Sequence, residues 1–261
     1  MTIQAGLPAP MRWTNKVPQV TLVFWLIKMM STTVGETAAD FLNADLGFGL
    51  AGTSLVVGVL LLAALYFQMR ATAHQALRYW TAVLFISVFG TLITDNLSDV
   101  LAIPLAWSTA AFLILLLAVF ALWFAREHTL SIHHVDTPAR EAFYWLAILA
   151  TFALGTAAGD WFAEGLHLGY WPSAAIFAAA IGVVALSHYI LKASPVWCFW
   201  IAYVLTRPLG ASIGDGLAQS SGEGGLGLGT TLTSVIFLVM IVALVAALYR
   251  RGRAAGPKSQ A

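Results

Sequence analysis

The chain has 261 residues, 60% of them hydrophobic and 10% charged, with a formal net charge of +1 and a mean hydropathy of +0.83. Soluble globular chains carry roughly 25% charged residues, so a soluble fold is excluded and an integral membrane protein is indicated. The single Cys198 rules out an internal disulfide framework and any cysteine-based metal cluster.

The opening stretch MTIQAGLPAPMRWTNK is polar and Pro-containing and no small-residue cleavage site follows it, so it is expected to stay on the chain as a cytosolic tail over 1–17. Eight runs of about 20 apolar residues follow, each long enough to cross a bilayer. They cover about 18–42, 47–69, 79–103, 107–125, 141–165, 171–191, 195–219 and 227–249. Basic residues flank them on one side only. Arg12, Lys16, Arg70, Arg78, Arg126, Arg140, Lys192, Arg250, Arg251, Arg253 and Lys258 account for eleven of the thirteen Lys and Arg. By the positive-inside rule both termini, the second being 250–261, are expected in the cytoplasm. Trp80, Trp107, Trp123, Trp145, Trp171 and Trp197 fall near span ends, as an interfacial aromatic belt requires.

Every odd span ends in a variant of one polar pattern: STTVGETAAD (31–40), GTLITDNLSD (90–99), GTAAGDWFAE (155–164) and GASIGDGLAQ (210–219). Aligned on Glu36, Asp95, Asp160 and Asp215, the positions four residues earlier are Thr32, Thr91, Thr156 and Ala211. The positions four residues later are Asp40, Asp99, Glu164 and Gln219. The reading is an all-α, polytopic fold of eight transmembrane helices in a single transmembrane domain over 1–261. It is built from four two-helix repeats at about 18–69, 79–125, 141–191 and 195–249. Positions four apart share a helix face, so each odd helix carries a polar stripe. In this alignment Lys28 and Arg207 stand eight residues before Glu36 and Asp215, about 12 Å along the helix.

A charge at the bilayer centre costs several kcal/mol and persists mostly where it faces a bundle interior or a watered cavity. Seven carboxylates at similar depth repel one another, and two intramembrane cations cannot neutralise them. The expectation is that Glu36, Asp95, Asp160 and Asp215 hold a cation with help from the hydroxyls of Thr32, Thr91 and Thr156. Asp40, Asp99 and Glu164 would form an outer vestibule, and Lys28 and Arg207 would act as counter-ions. Gly155 with Gly159, and Gly210 with Gly214, are small-xxx-small pairs suited to close helix approach. Ser108 and Ser173 are expected as N-caps of the even helices.

The repeated T-x-x-G-[DE]-x-x-x-[DE] units, RPLGASIGD and GTAAGDWFAEGLHLGY resemble a bacterial inner-membrane family built from a repeat of unknown function and labelled an uncharacterised membrane-anchored protein. The resemblance runs from about Lys16 to Tyr249. It implies a multi-spanning protein of the bacterial inner membrane, and carries no activity or site residue with it.

Other motifs are thinner. Glu164-Gly-Leu-His167 has the Glu-x-x-His spacing of di-iron bundles, where it occurs twice; here it occurs once, leaving His167 as a candidate metal ligand. His128, His133, His134 and Asp136 share one loop, read as solvated rather than as a metal-delivery segment, and His188 lies near the end of span 6. No GxSxG, HExxH or Walker-type loop occurs. The leading function is a transporter, or a channel, for a hard cation such as Mn²⁺, Mg²⁺ or protons, since oxygen-only ligands favour these over copper. The alternatives are a metal-dependent membrane enzyme acting on lipid or quinone, and a non-catalytic scaffold. No nucleophile or redox centre supports the first, and charged residues are an expensive way to hold helices together. The expected partners are the lipid bilayer and a small inorganic cation, with no nucleic acid. A bound divalent cation is the one cofactor considered.

Overall fold

A computed structural model describes residues 14–254. Eight long helices make up most of it: α1 (Leu22–Asp40), α2 (Gly49–Met69), α3 (Ala76–Asp95), α4 (Leu105–Glu127), α5 (Pro138–Asp160), α6 (Tyr170–Tyr189), α7 (Pro195–Ala218) and α8 (Thr230–Ala254). Seven of them are long and apolar enough to cross a membrane. The exception is α1, which carries Lys28, Glu36 and Asp40.

Local chemistry starts the helices. The Thr21 hydroxyl accepts from the Phe24 N–H at the start of α1, and Thr137 does the same for Arg140 at α5. Pro138 and Pro195 open α5 and α7, where a missing N–H costs nothing. The expected caps Ser108 and Ser173 are not caps. The helices begin earlier, after Pro104 and Gly169, and both serines lie inside the first turns. There the Ser173 hydroxyl donates to the Gly169 carbonyl four residues back.

The odd helices α1, α3, α5 and α7 form a closed ring, each packed on the next and α7 on α1. The even helices lie outside, with α2 against α3, α4 against α5, α6 against α7, and α8 against α1. Each even helix thus packs chiefly on the odd helix that follows it around the ring, with α8 closing back on α1. Polar and small residues are buried along the ring interior, whereas α2, α4, α6 and α8 turn most of their apolar surface outward.

Two sets of contacts fix the ring's register. A Cβ on Gly35 would collide with Ser87, one on Gly90 with Phe152, one on Gly155 with Arg207, and one on Gly210 with Thr32. Each glycine admits a side chain from the next odd helix, and the fourth returns to the first. Glycine is what allows helices inside a bilayer to approach this closely. The aromatic contacts close the same way. Phe24 meets Trp80 at 5.4 Å between centroids, Tyr79 meets Trp145 at 5.4 Å, Tyr144 meets Trp200 at 6.1 Å, and Phe199 meets Trp25 at 5.7 Å.

These circles correct the sequence alignment by one helical turn in the first unit. Gly35, Gly90, Gly155 and Gly210 are equivalent, so the residue matching Asp95, Asp160 and Asp215 is Asp40, not Glu36. Lys28 and Arg207 are therefore not equivalent either; Arg207 corresponds to Thr32, and Lys28 to Tyr203. The backbone agrees. After Asp40, Asp95 and Asp160 the helix widens into a single π-helical turn, at Phe41–Asp45, Asn96–Val100 and Trp161–Gly165. Such turns are rare and often mark functional sites.

Candidate cation site

In this register the ring interior is a stack of layers with one residue from each odd helix. At the acidic end stand Asp40, Asp95, Asp160 and Asp215; one turn deeper come Glu36, Thr91, Thr156 and Ala211. Below them lie Thr32, Ser87, Phe152 and Arg207, then Lys28, Val83, Ile148 and Tyr203. Phe24, Tyr79, Tyr144 and Phe199 close the aromatic end.

Arg207 organises the middle of the stack. It is fully buried, and its guanidinium rises one layer, to the level where its own helix has the small Ala211. Its Nη2 donates to Glu36 Oε2 at 2.7 Å, to Thr156 Oγ1 at 2.7 Å and to Thr91 Oγ1, while Nη1 donates to the Thr32 carbonyl at 3.0 Å. One side chain thereby ties together all four odd helices. The Thr91 hydroxyl also reaches Glu36 Oε2 at 3.2 Å. Glu36 is thus the ion-pair partner of Arg207.

Lys28 does not take the role expected of it. Among the described residues no carboxylate lies within ion-pairing distance of it. It donates to the Tyr203 carbonyl at 2.8 Å and stands 4.4 Å from the Tyr203 ring and 5.1 Å from the Phe152 ring. The cause is the one-turn shift, which leaves Lys28 three layers below the aspartates.

One carboxylate oxygen each from Glu36, Asp160 and Asp215 lies within 4.8 Å of the other two. Oxygens bound to one metal at roughly 2.0–2.6 Å lie at most about 4–5 Å apart, so the three suit a single ion. Among the described residues no hydrogen bond reaches the Asp160 or Asp215 carboxylate, in contrast to that of Glu36. Asp95 and Asp40 stand within electrostatic range of this group rather than in it.

The remaining candidates separate by depth. Asp99 and Glu164 are exposed beyond the aspartate layer and Asp40 is half-buried. Thr91 and Thr156 point their hydroxyls at Arg207, whereas the Thr32 hydroxyl bonds the Met29 and Thr206 carbonyls and faces no carboxylate. His167 is exposed, in the left-handed region at φ 55° in the turn after α5, and takes no part in the cluster.

Three features escaped the sequence reading. One is the dyad Phe24-Trp25, Tyr79-Trp80, Tyr144-Trp145 and Phe199-Trp200, each with a Gly ten residues and an Asp fifteen residues after the Trp. That spacing, without gaps in four copies, was the signal for the correct register. The second is Lys16, expected in the cytosolic tail and found buried against Glu141 and the Met69 carbonyl. Gln68 and Trp145 donate to the other oxygen of Glu141, which completes a polar cluster at the aromatic end. The third is the tyrosine group Tyr79, Tyr144 and Tyr203.

No curated protein and no solved structure matches the chain. A family described as Repeat of Unknown Function (DUF347) matches it four times, at residues 23–74, 78–129, 143–194 and 198–254. Counted from these starts, Asp40, Asp95, Asp160 and Asp215 occupy one and the same position, in agreement with the glycine and aromatic circles. The matched segments take in most of the chain, which therefore belongs to the family built from this repeat.

Proposed function

We propose that the protein is a transporter for a hard divalent cation, Mn²⁺ or Mg²⁺, with Glu36, Asp160 and Asp215 as its ligands. The observation that carries this reading is the convergence of those three oxygens within 4.8 Å. For the three ligands and Arg207 alone, charge suits a divalent ion. Arg207 contributes +1 and the three carboxylates −3, so 1 − 3 = −2 when all are ionised, which one divalent ion balances. Oxygen donors favour hard ions, and Asp160 and Asp215 have free lone pairs for one. Arg207 then serves as a tethered cation, holding Glu36 when no metal is bound. Asp99 and Glu164 at the mouth concentrate cations. A transporter is favoured over an open channel because the eight rings of the aromatic dyads fill the other end of the ring.

In this reading all eight helices span the inner membrane of a bacterium. The charges of α1 that keep its hydropathy low are turned into the ring, Lys28 and Glu36 being buried. Arg70, Arg78, Arg126, Arg140 and Lys192 gather at the aromatic end, which favours the cytoplasm for that end and for both termini. Reporter fusions after residues about 45, 105, 167 and 222 should then read outside; a cytosol-only reporter active at these sites reverses the orientation.

Elemental analysis of the purified protein tests the site itself. Mn²⁺ or Mg²⁺ should co-purify or titrate in at one ion per chain, and Asp160→Asn with Asp215→Asn should remove it. Stoichiometric binding that persists in the double variant refutes the assignment.

A further inference from the structure

The aromatic end of the ring contains a contradiction that packing does not explain. Its four equivalent positions are Phe24, Tyr79, Tyr144 and Phe199. Phenylalanine fills two of them, so the ring closes without hydroxyls. Yet Tyr79 and Tyr144 bring two, both buried, which bond each other. One layer towards the acids, Tyr203 is also buried, and its hydroxyl has no partner among the described residues. Val83 and Ile148 at the matching positions are apolar. A buried hydroxyl without a protein partner is unfavourable in such a place, and its retention calls for a use.

The three hydroxyls lie within electrostatic range of one another. They sit on the ring axis between two polar regions. On one side Lys28 stands against Tyr203, and beyond it come Arg207 and the acidic cavity. On the other side Glu141, three residues before Tyr144 on α5, holds Lys16, and the His74 ring lies 5.9 Å from that of Tyr79. Aromatic and aliphatic side chains, Trp80, Trp145, Trp200, Val83 and Ile148 among them, pack around this level.

We propose that Tyr79, Tyr144 and Tyr203 form a proton path through the sealed aromatic end, so that the protein moves protons along the ring axis. Each hydroxyl oxygen accepts a proton on a lone pair and releases its own to the next acceptor. One O–H bond forms for each that breaks, no electron is transferred, and rotation of the hydroxyls resets the path. In this path a water molecule would carry the proton between the Tyr203 hydroxyl and the Tyr79–Tyr144 pair. Protons pass where metal ions cannot, since a hop between hydroxyls needs no opening of the ring. The path goes beyond the cation reading and does not depend on it: protons move whether or not the carboxylates hold a metal.

The test uses the full chain in liposomes containing a pH-sensitive dye, with a pH gradient and the membrane potential clamped by potassium and valinomycin. It is run with and without Mn²⁺. Wild type should carry protons in at least one condition. Tyr203→Phe, Tyr79→Phe and Tyr144→Phe should lower the rate, and the triple variant should fall to the level of protein-free liposomes. Tyr66→Phe, on the exposed face of α2, should leave the rate unchanged. Phenylalanine already occupies two positions equivalent to Tyr79 and Tyr144, and Tyr203→Phe removes only a hydroxyl with no partner among the described residues, so the variants should fold, and unchanged Mn²⁺ binding and thermal stability will verify it. Proton flux absent from wild type in both conditions, or undiminished in the triple variant, overturns the proposal. Proton flux without any metal binding would sink the cation reading and leave this one standing.

Discussion

The two halves of the ring are made by the same four helices at equivalent positions, yet they solve opposite problems. At the acidic end four aspartates recur in register and gather like charges at one depth. At the aromatic end four Phe/Tyr-Trp dyads recur in register and fill the same cross-section with rings. Both ends keep the fourfold pattern. The layers between them break it, with Arg207, Phe152 and Lys28 each present once. Symmetry is retained where helices must close a ring, and it is lost on the axis, where only one side chain fits. Arg207 sits at the boundary and holds the halves together.

Arg207→Ala is the sharpest way to break that boundary. It leaves Glu36 buried without its cation, and should lower stability by about 3–5 kcal/mol in thermal unfolding in detergent. Adding Glu36→Gln to it should restore most of the loss without restoring cation flux. A wild-type melting curve for Arg207→Ala would mean that water in the cavity already screens the pair.

Metal should act on the acidic half alone. A cation at about a hundredfold its Kd stabilises the folded state by roughly 2.7 kcal/mol, and Mn²⁺ should give an upward Tm shift of that order in wild type. Asp160→Asn and Asp215→Asn should abolish the shift while melting no lower than wild type when metal is absent, because each removes one of several like charges. A marked loss of stability without metal would make these acids structural.

The circles of close contact should respond to added volume. Gly155→Ala drives a methyl into Arg207 and Pro208 and should cost about 1–3 kcal/mol, read from the same unfolding curves. Gly182→Ala, on the outward face of α6 with nothing within 4 Å, should cost nothing. Equal effects at the two sites would mean the ring is looser than its contacts indicate.

The smallest effect belongs to the aromatic end. Burial holds the His74 imidazole below its usual 6.5, although its bond to the Lys16 carbonyl opposes this. The folded state therefore binds fewer protons there than the unfolded chain. Its contribution is full above pH 6.5 and declines as the pH falls below that value. His74→Gln should flatten a Tm profile taken over about pH 5 to 8, and an unchanged slope would assign the acid sensitivity to another group.

The sequence by itself determined the membrane class, the helical fold, the four repeats and most of the residues that now meet in the cavity. Hydropathy and charge placement are local properties, read along the chain without knowledge of what packs on what. Sequence also showed that acids recur at the ends of odd helices. It did not determine the register, because an alignment on acidic character treats Glu36 as the equal of Asp95, and positions four apart share a helix face. Only the packed ring distinguishes them, since a glycine either admits the neighbouring helix or does not. The same geometry gave Glu36 to Arg207 and denied Lys28 a carboxylate. It also brought Asp160 and Asp215 together from helices 55 residues apart (215 − 160). Pairing between helices depends on depth and rotation within a few ångströms, and those are fixed by side-chain volumes across the interface rather than by any one segment.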